Sequence, residues 1–361
     1  MYLELNNTRI GKNLPVYFIA EIGSNFDGDL VKAKKLIWLA KESGANAVKF
    51  QHYTAESLVS DHGFSMLEEN STHQKNWSAS VFEVYDKASL DRTWTSELKK
   101  ECDSAGVDFL TSPYSESLVD YVDEFVPAFK VGSGDITFHK IIKKMASKGK
   151  PLLIATGASE LGEVRLAYEC AKEFGVPVVL LQCNTNYTAK KENYKCLNLN
   201  VLKTYSECFP EAFLGISDHM PGHTEVIAAV TLGACIVEKH FTDNVENSGP
   251  DHSFALDPKT FSRMVDDVRN LELALGDGIK RVEENEAGTA VVQRRGLYIA
   301  RDLEKGNVLT ANDLVALRPF AEGMFPPYAE QKLVGQVVNR SLNCGEALMP
   351  DFLVEQGGTN V

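Results

Sequence analysis

The sequence contains no apolar run that approaches the roughly 18 residues of a membrane-spanning helix. It also lacks an excess of positive charge, since 37 lysines and arginines stand against 50 aspartates and glutamates, a formal net charge of −13. We therefore expect neither nucleic acid nor a membrane as a partner. Residues 1–6 show no basic stretch ahead of an apolar core, so we expect no secretory leader.

Cysteine is sparse and unpatterned. The chain has seven cysteines, and none of them forms a CxxC pair. An odd, scattered set predicts neither a disulfide framework nor a cysteine-rich zinc site. It is typical of reduced thiols in a cytoplasmic protein.

Short apolar runs alternate with amphipathic stretches from residue 16 to about residue 240, which predicts repeated βα units. The predicted strands are 16–22, 47–51, 107–112, 128–131, 152–156, 178–182, 213–217 and 235–239, and the clearest helices are 30–43, 90–104, 163–174 and 258–275. Eight such strands favour a closed (β/α)₈ TIM barrel, an α/β fold. An open doubly wound sheet is less favoured, because no GxGxxG fingerprint follows the first strand.

The sequence changes character after residue 276. We predict a barrel domain over 1–278, a charged linker over 279–290 and a small domain over 291–361. Within the last domain, the segment 301–309 recurs as 340–348 at a constant offset of 39 residues, with identical residues at 301/340, 303/342, 306/345, 309/348 and 314/353. Two copies of one short unit predict a pseudo-symmetric β-rich domain, since two repeats are too few for a solenoid.

Two histidines close neighbouring predicted strands. His219 follows strand 213–217, and His240 follows strand 235–239. Strand ends converge on one face of a barrel, so the two imidazoles can share a metal ion that keeps open positions for water and a substrate oxygen. Mn²⁺ or Mg²⁺ suits such a site better than zinc. The alternative is a hydrogen-bonded structural role for each histidine, and His223 and His252 are weaker candidates.

Charged side chains also end predicted strands. Glu21, between apolar neighbours, can position water or carry a proton, and a salt bridge to Lys49 or Lys130 is a compatible alternative. Together the two lysines and nearby hydroxyls predict a phosphate cradle. A lysine that forms a Schiff base is the competing interpretation. The predicted hydroxyls are Ser112, Ser133, Thr156, Thr185 and Ser217.

The connection from residue 53 to about residue 88 is too long for a simple turn and contains His73, Gln74 and Trp77. A loop of that length at the functional face of a barrel is a candidate lid.

Taken together, these segments resemble the sialic acid synthase family, which condenses phosphoenolpyruvate with an N-acylhexosamine to make nine-carbon 2-keto-3-deoxy acids. The repeated module looks like the antifreeze-like SAF domain of that family. The resemblance covers nearly the whole chain and is carried by the segments 20–25, 47–51, 111–114, 129–135, 155–157, 215–219, 238–242 and 249–252.

The resemblance implies a role for individual residues. His219 and His240 would bind Mn²⁺, with Mg²⁺ or Co²⁺ as alternatives, and Glu21 would handle water or protons. Arg318 would reach the sugar's N-acyl group from the SAF domain of the other subunit, because the resemblance implies a homodimer that exchanges this domain. Phosphoenolpyruvate would contact Lys49, Ser112, Lys130, Ser133, Thr185 and Ser217, and the sugar would contact Gln51, Asp135, Tyr187 and Asp251.

The chain departs from the family pattern at Phe26, Ala155, Asp135 and Phe320, which we expect near the pocket, where they would bear on the choice of sugar. The segments 21–24 and 132–135 place the chain nearer the neuraminic and legionaminic acid synthases than the pseudaminic ones. Two other functions stay open from the sequence: a lysine Schiff-base aldolase, and a non-catalytic carbohydrate- or ice-binding SAF protein with the barrel as scaffold.

Overall fold

The structure is a computed structural model that describes residues 1–67, 74, 77 and 79–354. The chain divides into two compact units, Met1–Gly276 and Asp277–Val361. In the first unit, eight parallel strands form a nearly closed barrel: β3 Tyr17–Glu21, β4 Ala47–His52, β5 Asp108–Pro113, β6 Phe129–Val131, β7 Leu152–Ala155, β8 Val178–Cys183, β9 Phe213–Asp218 and β10 Ile236–His240. Their order around the barrel is β5-β4-β3-β10-β9-β8-β7-β6, with β5 beside β6. The predicted TIM-type fold is confirmed.

Helices follow the barrel strands and cover their outer faces. The helices of the first unit are α1 Leu30–Glu42, α2 Ala55–Leu58, α3 Asp61–Ser65, α4 Val81–Ala88, α5 Thr95–Ala105, α6 Glu116–Val122, α7 His139–Ala146, α8 Leu161–Lys172, α9 Val201–Cys208, α10 Thr224–Thr231 and α11 Pro258–Leu275. None of the helices in the described ranges is long and apolar enough to cross a membrane.

Local sequence signals account for the helix ends. The Asp29 side chain accepts hydrogen bonds from the first backbone amides of α1, and Gly44 follows the helix with a φ of +91°. Helix α11 starts at Pro258, as predicted, and the Asp257 side chain caps it. Helix α5 begins later than predicted, because Asp91 caps a separate 3₁₀ turn, Arg92–Trp94, ahead of it.

A short N-terminal hairpin, β1 Leu3–Leu5 and β2 Thr8–Ile10, was not predicted. Its apolar side chains Leu3, Leu5 and Ile10 pack against inward residues of the barrel strands. Asn6 donates to Asp108, the first residue of β5, so the hairpin closes the end of the barrel where the strands begin. The opposite end, where the strands stop, carries the polar side chains.

The second unit contains the repeat. Its regular elements are α12 Ala287–Gln293, β11 Gly296–Ile299, β12 Leu314–Leu317 and α13 Glu330–Leu333, with a 3₁₀ turn, Glu284–Glu286, ahead of α12. The repeat partners Leu303 and Leu342 exchange two backbone hydrogen bonds, each of 2.9 Å. The repeated glycines Gly306 and Gly345 both have positive φ, 88° and 83°. The repeated leucines are buried together in the core of this unit: Leu303, Leu309, Leu314, Leu342, Leu348 and Leu353. Each repeated leucine and glycine therefore has a matched structural role.

Candidate active site

A cavity of about 410 Å³ opens at the carboxyl ends of the barrel strands. It lies within the size range of small-molecule sites, roughly 300–1,000 Å³. Of the barrel residues to which the family resemblance assigned a role, the structure places all except Thr185 on its lining: Glu21, Lys49, Gln51, Ser112, Lys130, Ser133, Asp135, Tyr187, Ser217, His219, His240 and Asp251.

Strand register explains why the charged residues meet. Glu21 is the register partner of both Lys49 on β4 and His240 on β10. These residues therefore sit at one height around the barrel. Since alternate side chains of a strand share a face, Glu238 points to the same side of β10 as His240.

Four buried charges form a chain across the cavity floor. Lys49 Nζ lies 2.7 Å from Glu21 Oε2 and 3.6 Å from Glu238 Oε1, and Lys130 Nζ lies 3.0 Å from Glu238 Oε1. Gln51 donates to the other Glu21 oxygen at 2.7 Å. The predicted salt bridge of Glu21 is therefore present, to Lys49.

The two carboxylates of this chain have opposite pKa shifts. Burial raises the pKa of Glu21 to about 7, although Lys49 opposes the shift. Burial would also raise the pKa of Glu238, but Lys130 and Lys49 outweigh it and lower that pKa to about 2. Glu238 stays ionised at neutral pH, while Glu21 can gain or lose a proton there. A pair of carboxylates with separated pKa values is typical of acid–base sites.

Glu238 is a site residue that the sequence analysis missed. It is 4% exposed, lines the cavity and contacts both lysines. Its Oε2 atom is buried without a hydrogen-bond partner in the described part of the chain. The available signal was its spacing, two residues before His240 in a strand whose alternate positions share a face.

The two histidines form the other half of the floor. The ring centroids of His219 and His240 are 5.3 Å apart. His219 Nδ1 is 3.0 Å from the Asn184 carbonyl oxygen. When Nδ1 carries the ring proton and donates it to that carbonyl, Nε2 is the unprotonated nitrogen that can act as a ligand. His240 Nδ1 is buried without a partner in the described ranges. Burial lowers the pKa of both imidazoles, His240 most strongly, so both are neutral at pH 7.

This donor set fits a divalent metal with open coordination positions. Neutral imidazoles are good ligands, and no third His, Cys, Asp or Glu joins them into a larger cluster among the described residues. The weaker candidates have other partners: His223 Nε2 pairs with Asp267 at 2.7 Å, and His252 bridges Thr242 and Asp27.

Two residues of the predicted phosphate cradle, Thr156 and Thr185, are not among the residues that line the cavity. Thr156 donates to the Leu181 carbonyl and accepts from the Tyr205 hydroxyl, both at 3.0 Å, so its side chain points away from the cavity and Ala155 lines it instead. The grouping of Thr156 with the cavity hydroxyls was wrong, because successive residues of a strand face opposite sides and Ala155 is the one that faces the cavity. Thr185 lies beside the lining, because a Cβ added at Gly157 would be 2.5 Å from Thr185 Cγ2 and 2.9 Å from Ser133 Oγ. Its contact with phosphoenolpyruvate stays a prediction.

Phe26 is not a pocket residue either, because it is buried against Phe50 and Trp94 in the core between barrel and helices. The departure from the family pattern at Phe26 therefore affects the packing of the core and not the lining of the cavity. Ala155 and Asp135 do line the cavity, and burial raises the pKa of Asp135 to about 6.

The predicted sugar contacts line the same cavity. Asp251 Oδ2 accepts from the backbone amide of Ser24 at 3.0 Å and from its hydroxyl at 2.7 Å, which fixes the carboxylate. The Tyr187 ring lies 4.4 Å from the His219 ring.

The long 53–88 connection contributes one wall of the cavity, through Tyr53, Leu58, Phe64 and Tyr85. Its role as a lid stays a prediction, and His73 lies outside the described residues. Arg318 is exposed in the second unit, directly after β12, and Phe320 also lies in that unit.

Comparison with known proteins reveals the family. Residues 36–280 match the NeuB family, and residues 294–354 match the SAF domain. The chain belongs to the NeuB family. It is 34% identical over 348 residues to N,N'-diacetyllegionaminic acid synthase of Legionella pneumophila, with 94% of this chain and 95% of that protein covered. It is 30% identical over 349 residues to N-acetylneuraminate-9-phosphate synthase of Homo sapiens, with 96% and 95% covered. Among solved structures, N-acetylneuraminic acid synthetase from Leptospira borgpetersenii matches with a TM-score of 0.69 and 27% identity, covering 80% of this chain and 95% of that one.

Membership of the NeuB family confirms the resemblance seen in the sequence and shows that the chain is a synthase. The alternative of a non-catalytic carbohydrate- or ice-binding protein is therefore wrong. Within this NeuB site, the Schiff-base alternative is disfavoured by the ion pairs. Burial lowers the pKa of Lys49, but Glu21 and Glu238 outweigh it and raise that pKa above its ordinary value. A lysine held protonated is a poor nucleophile.

Proposed function

We propose that this NeuB-family enzyme condenses phosphoenolpyruvate with an N-acylated hexosamine, giving a nine-carbon 2-keto-3-deoxy acid and inorganic phosphate. The observation that carries the proposal is the cavity floor itself, where two buried ammonium groups lie beside two neutral imidazoles. The named relatives are synthases of N,N'-diacetyllegionaminic acid and of N-acetylneuraminate-9-phosphate, which supports a product of that class here.

The ammonium groups of Lys49 and Lys130 would bind the anionic groups of phosphoenolpyruvate. Both are buried, and a charge-assisted hydrogen bond is strongest where water is excluded. Glu238 already neutralises part of their charge, so the floor is not strongly cationic before substrate arrives. Ser112, Ser133 and Ser217 line the same cavity, and their hydroxyls would supply further donors.

The proposed reaction forms one carbon–carbon bond. C3 of phosphoenolpyruvate attacks the aldehyde carbon of the open-chain sugar, the aldehyde oxygen takes up a proton, and water adds at C2. Phosphate then leaves with the bridging oxygen as the C2 ketone forms. Glu21, with its pKa near 7, would accept the proton of the attacking water.

His219 and His240 would hold the divalent cation, which we propose is Mn²⁺, with Mg²⁺ or Co²⁺ as alternatives. When bound, such a cation acts as a Lewis acid that polarises the aldehyde oxygen.

Gln51, Asp135, Tyr187 and Asp251 would contact the sugar. Arg318 would add a guanidinium that suits the carbonyl of the N-acyl group, contributed by the SAF domain of the partner in a homodimer. We place the enzyme in the cytoplasm, which the seven free cysteines support.

The test is an assay of the purified chain with phosphoenolpyruvate, Mn²⁺ and a panel of N-acylated hexosamines, including N-acetylmannosamine. We expect phosphate release that depends on one sugar of the panel, with an equal amount of keto acid. Release without any sugar would refute the proposal. Borohydride with pyruvate should trap no adduct on Lys49 or Lys130, whereas an adduct there would favour the aldolase alternative.

A further inference from the structure

A second group of charged residues lies behind the barrel wall, next to the two histidines. Lys239 and Asp218 are register partners on β10 and β9, and each directly precedes one of the histidines. Because successive side chains of a strand alternate in direction, these two point away from the cavity. Neither they nor Glu225 belongs to the cavity lining.

The ammonium group of Lys239 has an acceptor for each of its three protons. Nζ lies 2.5 Å from Asp218 Oδ2, 2.7 Å from the Met220 carbonyl oxygen and 3.1 Å from Glu225 Oε1. All three ionisable side chains are at most 1% exposed. We call Lys239, Asp218 and Glu225 the buried triad.

The buried triad holds the turn that carries His219. The backbone amide of Met220 donates to Asp218 Oδ2 at 3.0 Å, and the Met220 carbonyl accepts from Lys239. The turn after β9 is therefore tied to β10, the strand that ends in His240.

The triad also reaches the segment after β8. The Tyr194 hydroxyl lies 2.8 Å from the Pro221 carbonyl oxygen and 3.1 Å from Glu225 Oε2. The same segment supplies the Asn184 carbonyl that faces His219 Nδ1. His219 is therefore held from both sides by elements that the triad joins.

A contribution to stability does not by itself explain why these ionisable side chains are buried. Taking several charges out of water costs free energy, and well-packed apolar residues at such positions are often equally or more stabilising. A fixed distance between two strand ends is, however, what a metal site with two protein ligands requires.

We propose that the buried triad is a positioning group that holds His219 and His240 at the spacing a divalent cation needs. The proposal rests on the metal role of the two histidines in the proposed function. It assigns the triad no contact with substrate.

The test is a titration of the full chain with Mn²⁺, in which electron paramagnetic resonance measures the free ion. This measurement does not depend on enzyme activity. Asp218→Asn preserves shape and removes one charge of the triad. We expect it to weaken Mn²⁺ binding by roughly 10-fold or more, in the range typical of groups that orient metal ligands. Tyr17→Phe is the matched control, because it removes a buried hydroxyl that contacts Asp108 at the other end of the barrel. It should leave Mn²⁺ affinity unchanged even if it lowers the thermal midpoint.

The outcomes separate the two proposals. Wild-type protein that fails to bind Mn²⁺, or binding that survives in His240→Ala, would refute the metal site and the triad's role with it. Binding that is lost in His240→Ala and unchanged in Asp218→Asn would overturn only the positioning role. If Asp218→Asn does not fold, Tyr194→Phe decides, since it removes the hydroxyl at the partly exposed edge of the network. Several-fold weaker binding would support the proposal, and unchanged affinity would overturn it.

Discussion

Glu238, on the strand that ends in His240, places its Oε1 atom 3.0 Å from the ammonium of Lys130. The same oxygen is 3.6 Å from Lys49, which also pairs with Glu21. Glu238 therefore competes with Glu21 for Lys49, and its negative charge raises the Glu21 pKa further. The protonation of one carboxylate is tied to the charge of the other.

Replacing Glu238 by glutamine should lower the pKa of Glu21, since the variant removes a neighbouring negative charge and leaves Lys49 to Glu21 alone. We expect the acid limb of kcat/KM for phosphoenolpyruvate to move to lower pH. Asp135→Asn is the control, because it removes a different cavity carboxylate and should leave the limb where it is. An unmoved limb in Glu238→Gln would contradict the coupling.

The wild-type pH profile should follow Glu21. Its pKa is raised to about 7, so the side chain is protonated below that pH and ionised above it. Because the ionised form is the one that would accept the proton of water in the proposed reaction, kcat/KM should rise as pH increases through about 7. The histidines do not account for this limb, since burial lowers their pKa values. Glu21→Gln should lose the limb and lower the rate by roughly 10²–10⁴-fold. A profile that stays flat through neutral pH would argue against Glu21 as the base.

Removal of the metal or of either imidazole should abolish turnover. We expect His240→Ala, or wild-type protein treated with a chelator, to lose at least about 100-fold in rate, the effect of a few kcal/mol of lost electrostatic stabilisation. Added Mn²⁺ should restore the chelated wild type but not the variant. His223→Ala is the control and should stay active, because that histidine pairs with Asp267 outside the cavity. Native rates in the chelated sample would show that the metal role is wrong.

Arg318→Ala should raise KM for the sugar far more than KM for phosphoenolpyruvate. If the site is shared between subunits, a heterodimer of this variant and His240→Ala has one of its two sites intact. Random exchange in an equal mixture makes about half of the dimers heterodimers, so about a quarter of wild-type activity should return. Arg301→Ala controls for damage to the second unit, since Arg301 pairs with Asp313 there. Exchange confirmed by mass without any recovery would exclude a shared site.

The strands and the barrel were predictable because buried parallel strands are short, apolar and bounded by turn residues. The same property hid Glu238, since a strand buried on both faces shows no alternation that marks which residues face inward. Thr156 was misplaced for this reason, one residue past the inward Ala155. The hairpin formed by β1 and β2 escaped prediction because strands of three residues carry too little periodicity.

The repeat in the second unit was readable because its identical leucines share one core and its identical glycines share positive φ. The partners of the strand-end side chains were harder to foresee. The buried triad depends on the register between β9 and β10, which pairs Lys239 with Asp218 over a separation of 21 residues. No local pattern encodes that pairing.

The most direct test of the central claim follows the bridging oxygen of phosphoenolpyruvate. The substrate is labelled with heavy oxygen between C2 and phosphorus and incubated with enzyme, Mn²⁺ and the accepted sugar, and both products are analysed by mass spectrometry. Attack of C3 on the aldehyde with water addition at C2 predicts that the label appears in inorganic phosphate, in amounts equal to the keto acid formed. Label retained in the keto acid would mean that the phosphorus–oxygen bond had broken instead, and the proposed reaction would be wrong.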